Sequence, residues 1–203
     1  MAFNFLRKST SDDTAAAATV APAASPLNEL EGTYTIDASH SQVGFVARHA
    51  MVTKVRGSFG EYTGTATTGK DLRDAAIELT VQVASVDTKD AGRDGHLVSG
   101  DFFDVETYPT ITFRSTDVAA AGEVLRVTGD LTIKDVTKPV TIDFDFNGVA
   151  QDPFGNTRVG LEGKTVVDRR DFGLTWNAAL ETGGVLVSEK ITLEFEISAI
   201  KQA

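Results

Sequence analysis

The stretch DRRDFG at positions 168–173 places two guanidinium groups between two carboxylates and ends in the letters DFG. In a protein kinase, a DFG aspartate holds magnesium beside a glycine-rich phosphate loop, a strand lysine and an HRD catalytic loop. This sequence has none of these partners. Kinase chemistry is therefore excluded.

Two interpretations of the DRRDFG stretch remain. In the structural one, Asp168 and Asp171 cap a turn or short helix, Arg169 or Arg170 pairs with a carboxylate, and Phe172 packs under the end of a barrel. In the functional one, the Arg170 guanidinium binds an anionic or carbonyl headgroup, which suits its forked geometry. Both stay open at this point.

The three histidines and one acidic pair are the other candidates for chemistry. His49 shares a strand face with apolar residues, so its imidazole either hydrogen-bonds a ligand carbonyl inside a pore or is a satisfied buried ring. His40 lies in the loop-like segment DASHS and His96 in an irregular segment, and no HxH or HExxH spacing is present, so no metal is expected. Asp101 and Asp104 could form an acid/base couple, but helix-end and turn duties suit them better.

Composition narrows the class of protein. The chain has 203 residues, no cysteine, 19 basic and 29 acidic side chains, and a formal net charge of -10. Disulfides and thiolate chemistry are excluded. Nucleic acid is not an expected partner, because binding it nonspecifically requires an excess of Lys and Arg.

Residues 1–31 differ from the rest, and we expect them to be a flexible tail in front of one domain at 32–203. The only apolar run in the tail, AAAATVAPAA, is too weakly hydrophobic for a secretory signal, so we expect a cytoplasmic protein. An alternative gives the first residues a transient membrane contact. That anchor would consist of Phe3, Phe5, Leu6, Arg7 and Lys8.

From residue 33 onward, apolar and polar residues alternate with a period of two, which predicts strands with one wet face. Eight such runs lie near residues 42–50, 54–66, 75–86, 110–117, 123–133, 138–150, 156–168 and 188–200. Only residues 90–103 look helical or irregular. The pattern predicts an antiparallel sheet that splits into a sandwich or closes into an eight-stranded barrel, and closure removes the exposed edges.

The inward positions of these runs are almost all apolar, which favours a deep, narrow tube for a hydrophobic ligand. The alternative is a filled core in which these side chains contact only one another. Trp176 suits a half-wet pore mouth. With His49 and Arg170, the candidate ligand-binding residues are Phe45, Phe59, Ile77, Leu79, Phe113, Leu131, Ile142, Phe144, Phe146, Leu161, Trp176, Leu193 and Phe195.

Five blocks carry a specific resemblance: YTIDASHSQVGFVARH, VRGSFGEYTG, GHLVSGDFFDVETYPTITFRST, GDLTIKDVTKPVTI and DRRDFGLTWN. In order and spacing they resemble the YceI-like family of bacterial polyisoprenoid-binding proteins over residues 34–200. The resemblance implies an all-β, extended eight-stranded antiparallel lipocalin-like barrel with one or two short helical segments. It also implies a pore that takes up a long prenyl chain, and no established catalytic residues.

The sequence departs from the family pattern at two points. Asp135 stands in a turn where the family usually has glycine, and Asp tolerates left-handed conformations better than most residues. Many relatives also carry a signal peptide, which is not recognised here, so their periplasmic address is not transferred.

The expected function is therefore noncatalytic binding of a long-chain isoprenoid lipid, of the quinone or polyprenyl phosphate type, by a carrier, store or sequestering protein. No cofactor is expected, and a homodimer stays open. Two alternatives remain: an enzyme that acts on a hydrophobic substrate in a calycin-like barrel, and a stress-linked interaction module with a filled barrel.

Overall fold

A computed structural model describes residues 25–181 and 183–203. Within them the chain forms eleven strands and one α-helix, α1 (Ala91–Val98). The strands are β1 (Gly32–Ile36), β2 (Gln42–His49), β3 (Thr53–Phe59), β4 (Tyr62–Thr68), β5 (Ala76–Gln82), β6 (Val86–Asp87), β7 (Thr110–Ala121), β8 (Val124–Ile133), β9 (Val136–Gln151), β10 (Thr157–Asp168) and β11 (Lys190–Lys201). Short 3-10 helices lie at Pro26–Glu29, Ala38–His40, Lys70–Leu72, Val83–Ser85 and Arg169–Phe172.

The strands form a closed antiparallel barrel. The sheet order is β1-β4-β5-β7-β8-β9-β10-β11-β2-β3-β6, and β1 also pairs with β11. Three pairs of strands each form one interrupted length of the barrel wall: β1 with β2, β3 with β4, and β5 with β6. With β7 to β11 they make eight such lengths, which we call staves. The β1–β11 ladder, with Tyr34 opposite Lys201, closes the barrel.

Three neighbouring staves are interrupted at the same height. The breaks fall at residues 37–41, 60–61 and 83–85. A hydrogen bond from the Gly60 amide to the Ser85 carbonyl, 3.1 Å long, joins the second break to the third. The other staves, β7 to β11, run without a break for ten to sixteen residues each, with bulges in β7 and at the β9–β10 pairing. One side of the barrel wall is therefore interrupted and the opposite side is continuous.

The two ends of the barrel are closed by different segments. At what we call the Tyr34 end, where β1 begins and β11 finishes, residues 25–31 lie across the opening, with Leu27 fully buried and Leu30 and Leu72 buried beside it. At the opposite, Trp176 end lie α1, the short helix Arg169–Phe172 and the irregular residues 174–189. The described residues contain no helix that is long and apolar enough to cross a membrane.

Most of this architecture matches the sequence prediction. The eight alternating runs are confirmed as the eight staves, and the one segment without alternation contains α1. The prediction missed β1, which supplies the closing ladder. The anchor residues Phe3 to Lys8 and most of the expected tail lie outside the described residues, and the domain boundary stays a prediction. The described part of that tail differs from the expectation, because Pro26–Glu29 is helical and Leu27 is buried.

The β8–β9 hairpin corrects a detail. The left-handed residue of this turn is Lys134, with φ of 57°, and Asp135 is not among the residues of positive φ. Asp135 therefore does not need the left-handed conformation for which glycine would be chosen.

Candidate ligand-binding cavity

The barrel encloses an elongated cavity because alternate residues of every stave point inward. Its wall runs from Tyr34 and Leu125 at one end to Ile111 and Ile133 at the other. From Leu125 to Ile133 the distance along β8 is about 26 Å at the usual rise per strand residue. Further wall residues are Ile36, Val43, Ala66, Val81, Val127, Val140, Ile197 and Ala199.

The cavity is narrow. Its volume is about 170 Å³, close to that of a dry apolar cavity of roughly 150 Å³ that binds benzene. Sites for drug-sized ligands usually measure about 300–1,000 Å³. The space as it stands therefore holds a slim apolar group, and a longer chain enters only when wall side chains move.

Two aromatic rings lie over glycines of neighbouring strands, and one of them, Phe144, belongs to the cavity wall. Phe144 faces Gly163 across the β9–β10 ladder, and Phe45 faces Gly57 across the β2–β3 ladder. A Cβ on Gly163 would lie 2.5 Å from Phe144 Cδ1, which is closer than real Cβ atoms approach. Each ring thus occupies the room that a side chain on its partner would take.

Ten of the sequence-predicted residues lie on the cavity wall. They are Phe59, Ile77, Leu79, Phe113, Leu131, Ile142, Phe144, Leu161, Leu193 and Phe195. Phe45 and Phe146 are partly buried against the core but are not on this wall, and Phe45 stacks on Phe59 with ring centroids 5.8 Å apart. The binding role of each residue stays a prediction.

His49 and Trp176 are placed differently from the expectation. His49 is exposed at the end of β2, in a bridge to Val187, because β2 here has run past the enclosed part of the barrel. Trp176 is half-buried at the Trp176 end, where its ring lies edge-to-face on His96 with centroids 4.6 Å apart. Neither side chain lines the cavity. Phe102 completes this aromatic cluster, 5.3 Å from Trp176.

The structural interpretation of DRRDFG fits the geometry. Asp168 caps the short helix Arg169–Phe172 by accepting from the Arg170 amide, and Phe172 is 2% exposed beneath the barrel end. The Arg170 guanidinium donates to both Asp168 oxygens at 3.0 and 2.8 Å and pairs with Glu189 at 2.8 Å. Asp168 and Glu189 of the same chain engage the Arg170 guanidinium away from the cavity. A clamp on a ligand headgroup by Arg170 therefore has no support in this geometry.

The neighbouring Arg169 has a role that the sequence did not indicate. It is 5% exposed, and its guanidinium donates to the carbonyl oxygens of Leu174, Val187 and Ser188. Burial lowers its pKa. These bonds fasten both ends of the irregular segment 174–189 to the barrel end.

A second polar network lies on the outer wall and resembles catalytic residues only in composition. His40 Nδ1 lies 2.7 Å from Asp37 Oδ2 and 2.9 Å from Ser39 Oγ. A serine triad uses different ring nitrogens for its acid and its serine, whereas here one nitrogen serves both. Arg158 binds Asp37 and Asp152, at 2.6 and 2.8 Å, and thereby ties the break between β1 and β2 to the β9–β10 hairpin.

The acidic pair Asp101 and Asp104 makes local structural contacts. The Asp101 carboxylate accepts from His96 at 3.0 Å, and the backbone carbonyl of Asp104, rather than its carboxylate, accepts from the Thr107 and Tyr108 amides. Across residues 25–181 and 183–203, no three His, Asp or Glu side chains converge as metal ligands.

A closed eight-stranded antiparallel barrel around an apolar cavity defines a protein of the lipocalin-like barrel class. The chain belongs to the YceI-like family. The model of that family, described as the YceI-like domain, matches residues 34–199.

Comparison with individual proteins agrees. The chain is 38% identical over 169 residues to UPF0312 protein SAS2572 of Staphylococcus aureus. The aligned region covers 82% of this chain and 95% of that protein. Among solved structures, Burkholderia cenocepacia BcnA is 26% identical with a TM-score of 0.69, over 80% of this chain and 98% of that one. A polyisoprenoid binding domain from Saccharophagus degradans is 18% identical with a TM-score of 0.64, over 83% of this chain and 98% of that one, and shows the shared fold.

Proposed function

We propose that this protein binds the chain of an isoprenoid lipid inside its barrel and acts as a noncatalytic carrier, store or sequestering protein. The observation that carries the proposal is the cavity itself: an elongated space along most of the barrel, walled by apolar side chains. Family membership and the polyisoprenoid binding described for the Saccharophagus degradans domain support the same class of ligand.

Burial of apolar surface can supply the affinity. Each isoprene unit brings five carbons, and burying one methylene contributes about 0.8 kcal/mol, so each unit offers at most about 4 kcal/mol before the cost of association and of widening the cavity. A slender, flexible chain suits a narrow tube better than a bulky ring system does. The prenyl tail of a quinone and that of a polyprenyl phosphate satisfy this requirement equally well.

Catalysis is not part of the proposal, since the polar networks described above are engaged in holding the barrel together. A cytoplasmic location and a homodimer are carried forward only as predictions. So is a transient membrane contact through residues 3–8.

The test is lipid capture by the purified protein. Native mass spectrometry, with organic extraction of the same sample, should detect an isoprenoid after loading with prenylated lipids. Ala66→Phe, on the cavity wall, should abolish the bound mass, whereas Thr65→Phe, its exposed neighbour on the outer face of β4, should retain it. Equal loading of both variants would contradict binding inside the barrel.

The small volume of the cavity favours one other function, a structural or interaction module whose barrel is filled by its own side chains. This alternative predicts that no prenylated lipid adds to the protein mass and that Ala66→Phe fills the space and raises stability. The same two variants therefore distinguish the two functions.

A further inference from the structure

Tyr34 occupies a particular place on the cavity wall. It lies in β1, with Ala66 opposite it on β4 and Lys201 opposite it on β11. Its side chain lines the cavity next to the Tyr34 end, and the residue is 6% exposed. The phenol is thus enclosed by the barrel.

Tyr34 is also chemically exceptional there. The other inward-facing wall residues that the structure describes are Gly, Ala, Val, Ile, Leu or Phe. Thr65, Glu78 and Thr112 also border the cavity, but these residues are exposed and alternate with inward neighbours, so their side chains point to the outer face. Among these inward-facing wall residues, Tyr34 is therefore the one whose side chain carries a polar group.

This hydroxyl has no hydrogen-bond partner among residues 25–181 and 183–203, and burial raises its pKa. Tyr62 provides the comparison. It is buried to a similar degree, 8% exposed, but its hydroxyl donates to the Ser41 carbonyl at 2.7 Å. The Tyr34 oxygen keeps some accessible surface, because the described residues contain no fully buried side-chain oxygen or nitrogen that lacks a partner. No hydrogen bond within the described residues therefore explains the oxygen on Tyr34.

We propose that the Tyr34 hydroxyl donates a hydrogen bond to an acceptor oxygen on the headgroup of the bound lipid. This inference rests on the proposed function. It places the headgroup at the Tyr34 end, beneath residues 25–31, and the chain towards Ile111 and Ile133. Lys201 supports placing the headgroup at the Tyr34 end. It is two residues beyond Ala199 on the inner face of β11, and its exposed side chain brings a cation to the rim of the barrel at that end.

The acceptor oxygen could belong to a quinone carbonyl or to a phosphate. Tyr34→Phe should weaken binding of a prenylated benzoquinone roughly 2- to 12-fold, the range expected for one neutral hydrogen bond. Its affinity for an all-hydrocarbon isoprenoid of equal length should not change. Lys201→Gln should weaken binding of a polyprenyl phosphate and leave the quinone unaffected, which distinguishes the two sources.

Fluorescence titration of the full chain measures these affinities, and thermal melting verifies that each variant folds. Tyr34→Phe should melt no lower than the unmodified protein, whereas Tyr62→Phe, the matched control, should melt lower and keep its preference for the quinone. Equal affinities of Tyr34→Phe and the unmodified protein for the quinone would overturn the inference. So would an equal loss of affinity for the quinone and for the all-hydrocarbon isoprenoid. Failure of the unmodified protein to bind any of the three lipids would instead overturn the proposed function, and this inference with it.

Discussion

Phe144 lies directly across the β9–β10 ladder from Gly163, and its ring fills the space above that glycine. Phe144 also lines the cavity, so the fit of its ring over Gly163 bears on the stability of the cavity wall. Gly163→Ala forces the ring aside, and we expect it to lower the free energy of unfolding by about 1–3 kcal/mol, the usual cost of overpacking. Urea denaturation measures this change.

Gly95 is the matched control for that substitution. It is exposed in α1, and a Cβ there would meet nothing within 4 Å. Gly95→Ala should raise the free energy of unfolding by about 0.5–1 kcal/mol, because alanine loses less backbone entropy in a helix. If both glycines tolerate alanine equally, the ring of Phe144 is not held as described.

Arg169 and Arg170 are adjacent but should differ in their effect on stability. Arg169→Met removes a buried guanidinium and leaves three carbonyl oxygens without their donor, so we expect a loss of about 2–4 kcal/mol. Arg170→Gln removes ion pairs of a half-exposed side chain and should cost about 0.5–1 kcal/mol. Thermal unfolding of both variants tests the order, and a larger effect at Arg170 would contradict it.

Glu162 stands between two carboxylates on the outer face of the barrel, directly opposite Asp145 on β9 and Glu196 on β11. Like charges in such positions repel, so Glu162→Lys should stabilise the protein by about 0.5–1.5 kcal/mol at low salt. The gain should shrink in high salt, where screening weakens exposed pairs.

The next outward position on β10 reverses the arrangement. Lys164 lies opposite Asp143 and Glu194. Lys164→Glu should therefore destabilise the protein by a similar amount under the same conditions. Chemical denaturation at two salt concentrations measures both variants, and equal shifts in the same direction would show that cross-strand charge is not responsible.

Stability should also fall in acid. Hydrogen bonds from Ser39 and Arg158 lower the pKa of Asp37, those from Asn156 and Arg158 lower that of Asp152, and those from Arg170 lower that of Asp168. A carboxyl whose pKa is lower in the folded state contributes stability above its unfolded pKa, about 3.9. That contribution is lost as the pH falls below this value towards the folded pKa.

Thermal melts between pH 7 and pH 2 should thus show a decline that begins near pH 4. Asp152→Asn should start from a lower melting temperature at pH 7 and decline less, because one of the three linked protonations is missing. A variant that loses as much stability in acid as the unmodified protein would rule out Asp152 as a contributor.

The sequence predicted the long staves well because each has one wet face. In β9 and β11, apolar side chains such as Ile142 and Leu193 alternate with charged ones, and this local signal survives in the fold. It did not indicate β1, whose five residues pair with β4 and β11 far away in the chain. Closure of the barrel depends on that non-local pairing, which no periodicity reveals.

The same dependence on local alternation explains which residues of the candidate site were predicted and which were missed. Phe113 and Phe144 were predicted on the wall because they lie within long alternating runs. Tyr34 was missed since its short strand was not predicted. His49 and Trp176 have side chains suited to a ligand headgroup, but they lie beyond the enclosed part of the barrel. Residue type alone does not give a position along the barrel axis.

The interrupted staves on one side have a consequence for selectivity among guests. Because three neighbouring strands lack a continuous ladder at one height, we expect this side of the wall to adjust around a molecule that rotates about its own single bonds more readily than around a stiff fused-ring skeleton such as a sterol. Discrimination by flexibility would let one barrel accept many tails of different length while refusing rigid lipids of equal greasiness.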